Sequence, residues 1–229
     1  MNTLLKVARY HLVNRMNYVG LPALIVTFTW AVNVAVAAVL PLGSDDYYAG
    51  GLATVFAFLL ALGTLSMTRS LPFGMALGLS RRTYYLGTVL VVAALSVVYG
   101  LALALLQLVE TASGGWGLRM HYFRVPWILD GPWYLTWATS FVLLVLCYCY
   151  GICYGLVYRR WNLFGAVAFV GAQVLVVLAA LTAISLTRSW SAVGAFLSTV
   201  TGPAFTGMLA LVAVALALGG FGTLRRVTV

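Results

Sequence analysis

The chain has 229 residues, of which 63% are hydrophobic and 7% charged, with a formal net charge of +9; its mean hydropathy is +1.04. Soluble domains carry about a quarter charged residues, so this composition excludes a soluble globular protein and describes an integral membrane protein. A helix crossing the hydrocarbon layer needs roughly 20 mostly apolar residues, because its backbone N–H and C=O groups must pair within the segment, and the chain has room for about six such spans.

The leader, MNTLLKVARYHLVNRMNY, puts Leu5, Ala8, Leu12 and Met16 near one helical face with Lys6, Arg9 and Arg15 around it. That pattern predicts a helix lying in the membrane interface. Small residues at 35–38 follow the first apolar run as in a cleavable signal, but the long basic leader argues that the first span is retained. Spans are predicted at 19–40, 48–68, 84–109, 134–157, 163–186 and 203–223, separated by turn and polar signals such as LPLGSDDYY, YRRWN and TRSWS. No hydrophilic stretch is long enough for a soluble domain, so residues 1–229 read as one polytopic unit.

Charge placement orients these spans. Lys6, Arg9, Arg15, Arg69, Arg81, Arg82, Arg159, Arg160, Arg225 and Arg226, ten of the thirteen basic residues, fall on one side. Arg119, Arg124 and Arg188 share the other with all four acids, Asp45, Asp46, Glu110 and Asp130. Positive charge is retained inside during insertion, which predicts cytoplasmic termini in the cell membrane. Anionic lipid headgroups account for the +10 inner side, and no nucleic-acid partner is needed.

No Asp or Glu falls within a predicted span, which disfavours an ion-coupled carrier. Only His11 and His121 are present, and no Gly-rich phosphate loop ends in Lys-Ser or Lys-Thr, so any energy for work must come from another chain. Cys149 and Cys153 share a helix face, but no His or carboxylate lies near enough to complete a metal site, which leaves packing as their role. Tyr150, Tyr154 and Tyr158 form a stripe suited to interfacial anchoring. Gly151 and Gly155 allow close helix approach, within the subunit or between subunits. Asn33, Gln107 and Gln173 are amides inside spans, each either interhelical glue or a candidate lining of a translocation path.

The segment RSLPFGMALGLSRRTYYLGT at 69–88 is too short to span and too apolar for an ordinary linker. Ser70 can cap a short helix, Pro72 suits its first turn, and Ser80 can cap the next helix. Gly74 and Gly78 would present a flat side, with Leu71, Phe73, Met75 and Leu79 projecting elsewhere. The residues alone allow either a helix for a partner's groove or a headgroup-embedded connector held by Arg81 and Arg82.

The stretch PFGMALGLSRRTYYLGT resembles the connection between the second and third spans of small bacterial type-2 ABC exporter permeases, on Pro72, Phe73, Gly74, Gly78, Ser80, Arg81, Arg82 and Gly87. The resemblance extends to the basic leader, the six spans and the short cytoplasmic loops. It implies an all-α membrane fold with an N-terminal interfacial helix, a cytoplasmic coupling helix, and a re-entrant outer helix over 189–202, where Trp190, Val193, Phe196 or Leu197 and Val200 recur at helical spacing. It implies ATPase-coupling roles for Leu71, Pro72, Phe73, Gly74, Met75, Gly78, Ser80, Arg81 and Arg82. The partners it implies are a cytoplasmic ABC ATPase, which binds ATP and Mg, and a second permease, identical or related; no cofactor is expected in this chain. The loop at 110–133 is longer than the family pattern and reads as a lid, a substrate platform or a partner contact. A non-transport scaffold, chaperone or sensor is the alternative function. An intramembrane enzyme is disfavoured because no catalytic carboxylate pair or Ser-His pair lies within the spans.

Overall fold

A computed structural model describes residues 16–39 and 46–224. The expected interfacial leader, with Lys6, Arg9 and Arg15, and the pair Arg225 and Arg226 lie outside the described residues. A π-helical turn at Met16–Gly20 leads into α1 (Leu21–Val39). A 3-10 turn at Gly50–Leu52 opens α2 (Ala53–Leu65), which passes through a π-helical turn at Ser66–Ser70 into the short α3 (Leu71–Ala76). Then come α4 (Arg81–Ala112), α5 (Trp133–Leu186), α6 (Trp190–Thr199) and α7 (Gly202–Leu224). Two dipeptide strands, β1 (Tyr47–Tyr48) and β2 (Met120–His121), pair in parallel with Tyr47 opposite Met120.

Five helical segments among the described residues are long and apolar enough to cross a membrane: Met16–Val39, Gly50–Ala76, Arg81–Ala112, Trp133–Leu186 and Gly202–Leu224. The chain is an all-α membrane protein. Its α5 would be roughly 81 Å long if straight, far beyond a hydrocarbon layer of about 30 Å. It is not straight. Asn162, in the expected YRRWN turn, takes φ 54° and ψ −152° and breaks the helix. The Tyr150 hydroxyl donates to Gln173 Oε1, and the Tyr150 and Tyr154 rings pack on Phe169 at 6.2 and 6.4 Å. In a straight helix Tyr150 and Gln173 would stand about 35 Å apart, so α5 folds back on itself. Two members of the tyrosine stripe thus face the returning arm of α5.

The core lies where α2, α4 and α7 pack on the first arm of α5. Gly63 and Gly151 let α2 and α5 touch backbone to backbone. A Cβ at Gly151 would lie 2.1 Å from the Leu60 carbonyl oxygen, and one at Gly63 would lie 2.3 Å from that of Tyr148. The Gly151/Gly155 motif is therefore spent on packing within the chain. Tyr84, Tyr148, Ile152 and Leu156 are buried around this contact. Cys149 is buried with them, and the Cys153 thiol lies 3.5 Å from the Leu216 carbonyl of α7.

Candidate functional site

The two ends of the bundle differ in charge. At one end, the Ser66–Ser70 turn carries Arg69, and Arg81 and Arg82 start α4. Arg159 donates to the Met67 carbonyl at 3.3 Å and lies close enough to Arg81 for their charges to interact. The Arg160 guanidinium sits 4.6 Å from the centre of the Trp161 ring. The other end carries Asp46, Glu110, Arg119, Arg124 and Asp130 around the connection from α4 to α5.

At the arginine-rich end, α3 stops through a Schellman motif, with Gly78 N donating to Met75 O at 2.9 Å and Leu79 N to Gly74 O at 3.1 Å. Gly78 supplies the left-handed φ of 81° that this stop requires. Ser80 caps α4 as expected, its hydroxyl accepting from Thr83 N at 3.1 Å. Ser70 does not cap α3, since its backbone is helical and makes no side-chain cap bond. The reason is continuity: helical dihedrals run from α2 through the π-helical turn into α3, so there is no new N-terminus to cap.

The side chains of this turn face differently from the sequence expectation. Leu71 is fully buried in the core, and Met75 and Leu79 are half-buried against it. Gly74 is buried against Tyr84, and a Cβ there would meet the ring at 3.0 Å, so its flat side serves the protein's own α4. Pro72 falls in the first turn of α3. The outward pair is Phe73, 56% exposed, and Leu77, 62% exposed. Leu77 was missed in sequence, although its spacing of four from Phe73 put the two on one helical face.

The opposite end is organised by a residue assigned in sequence only to loop charge. The chain enters the helix of Glu110 earlier and leaves it later than predicted, so Glu110 lies in the last turn of α4, fully buried. The predicted span ended one residue before Glu110, and the helix runs two residues past it. Its two oxygens accept from the backbone N–H groups of Tyr122, Phe123 and Arg124 and from the Trp116 indole at 2.8–3.2 Å. His121 sits between carboxylates, Nδ1 at 3.9 Å from Glu110 and Nε2 at 3.7 Å from Asp46, with Tyr48 stacked on its ring. Arg124 pairs through Nε with Asp130 at 2.6 Å, which raises the guanidinium pKa. Burial raises the Tyr122 phenol, partly offset by its bond to Thr29 of α1. Residues 113–132 therefore form a cap wired to α1, α4 and β1.

The three amides proposed for a translocation path are not brought together. Gln107 is buried and donates to the Leu129 carbonyl of the cap at 2.6 Å. Asn33 donates to Thr29 O at 2.8 Å and accepts from the Tyr47 hydroxyl at 3.2 Å. Gln173 ties the returning arm of α5 to Tyr150. Each has a protein partner, and none lines the cavity of about 460 Å³ under the cap. That cavity is walled by the stretch from Tyr48 into the start of α2, by cap residues Arg124, Val125, Pro126, Ile128 and Leu129, by Leu143 and Cys147 of α5, and by Phe205 of α7.

The fold thus defines a polytopic α-helical membrane protein with a charge-segregated bundle. No known family model, curated protein or solved structure matches the chain.

Proposed function

We propose that this chain is the membrane-spanning subunit of an ATP-driven exporter, coupled through residues 70–82 to a separate cytoplasmic ATPase. The observation that carries the reading is the outward pair Phe73 and Leu77, held on a turn fixed by buried Leu71 and by Gly74 against Tyr84, and flanked by Arg69, Arg81 and Arg82. A rigid turn that buries one apolar face in its own bundle and presents another between cations suits a groove with acidic edges on a partner. In this reading the fold-back at Asn162 makes six membrane crossings, and the arginine-rich end faces the cytoplasm of the cell. The helix Trp190–Thr199 is then the outer re-entrant element. ATP and Mg are bound by the partner ATPase, and a second permease chain completes the pathway.

The test is a photo-crosslinker placed at position 73 in native membranes, with the Phe73→Ala/Leu77→Ala and Phe73→Ala/Arg81→Glu chains as comparisons. Burial of each large apolar side chain contributes roughly 1.5–3 kcal/mol, so losing both weakens docking by about two to four decades. The crosslinked partner should carry a Walker A loop. Both double variants should reach the membrane, fail to co-purify that ATPase and lose export. An ATPase that stays bound while export continues at the wild-type rate would reduce the turn to a headgroup anchor.

A further inference from the structure

The cavity under the cap is separate from the arginine-rich turn, and its occupant does not depend on the exporter reading. Its volume of about 460 Å³ is that of a small-molecule site. Its walls are aliphatic and aromatic, with a single charged residue, Arg124, contributed by the cap. Cys147 lies deep on α5, roughly 21 Å along the helix from Trp133 at 1.5 Å per residue. The cavity is therefore apolar towards the bundle, where Leu143, Cys147 and Phe205 line it, and cationic at the cap.

Arg124 is only partly used. Among the described residues its one side-chain hydrogen bond is from Nε to Asp130, and Asp130 is not part of the cavity wall. The Nη groups, which carry most of a guanidinium's donors in a planar fork, make no bond to these residues. Such a fork matches two oxygens of an oxyanion, and the two acids whose charge reaches the guanidinium, Asp130 and Asp46, both lie outside the cavity wall.

We propose that this cavity binds a single-chain amphiphile with an oxyanion head, its tail against Leu52, Phe56, Leu143 and Phe205 and its head on the Arg124 Nη groups. The chemistry selects an anionic head over a neutral one and a chain over a compact polar solute. Asp130 holds the guanidinium in place from outside the cavity.

Native mass spectrometry of the purified chain mixed with hexadecyl phosphate or hexadecanol tests this. One hexadecyl phosphate should bind per chain, at least about tenfold more tightly than the alcohol, the worth of one charge-assisted contact. Arg124→Gln should bring the phosphate down to the alcohol's affinity and leave the alcohol unchanged. Leu143→Trp, which fills the cavity, should weaken both. As a readout independent of that variant's folding, hexadecyl phosphate should slow reaction of Cys147 with N-phenylmaleimide in a Cys149→Ala/Cys153→Ala chain, and hexadecanol should slow it less. Equal binding of the two probes, a phosphate preference that survives Arg124→Gln because the site is Arg81 and Arg82, or an unprotected Cys147 would each overturn the proposal.

Discussion

At the cap, a fully buried carboxylate gathers four N–H groups from one loop, whereas the turn after α3 closes through two backbone bonds of its own and leaves Phe73 and Leu77 outward. Both connect long helices, and they hold their shape by different means. The cap is drawn in by one side chain reaching residues 12–14 positions away, with further ties to Thr29, β1 and Gln107. The turn depends on a glycine conformation and on two inward residues, Leu71 and Gly74, while Phe73 and Leu77 stand more than half exposed. A tied-down cover and an exposed apolar surface are the two results.

The strongest way to break the contrast is Glu110→Ala. It strands the buried N–H groups of Tyr122 and Phe123 as well as the Trp116 indole, and each buried donor left without a partner costs roughly 1–3 kcal/mol. Thermal denaturation of the purified chain should show a large fall in midpoint, and trypsin should cut at Arg119 and Arg124 in membranes where the unaltered cap resists. A cap that stays resistant would show that its ties to α1 and β1 suffice.

Gln107→Leu removes the bond to Leu129 O and leaves that carbonyl buried without it, a loss of about 1–3 kcal/mol. The same protease assay should show partial opening, smaller than for Glu110→Ala. At the other end, Gly78→Ala forces a Cβ into the left-handed conformation of the Schellman stop, which costs about 1 kcal/mol. It should lower the midpoint slightly and leave the cap's protease resistance intact.

The smallest effect sharpens the comparison most. Phe73→Ala with Leu77→Ala removes two side chains that are already more than half exposed, and surface changes of this kind stay within about 0.5 kcal/mol. The purified double variant should melt with the unaltered protein. A clear drop in its midpoint would mean that these side chains pack on the bundle and are not displayed.

Much of the fold was legible because it follows from composition and period. Apolar runs long enough to cross a bilayer, the YRRWN break, the Ser80 cap and the short helix over 190–199 each rest on residues close in sequence, where local rules apply. The gathering of Asp46, Glu110 and Asp130 at the end opposite Arg69, Arg81, Arg82, Arg159 and Arg160 was likewise readable, because it needs only the order of spans and charges. What the tertiary structure decided was the direction in which side chains point and the partners they find. Leu71 turned into the core and Gly74 against Tyr84 because α4 returns alongside α3. Asn33, Gln107 and Gln173 found separate partners, where sequence could say only that an amide in hydrocarbon needs one. Glu110 left no sequence signal beyond its charge, because its donors are backbone N–H groups, which every residue carries, and only the path of the cap brings them to its oxygens.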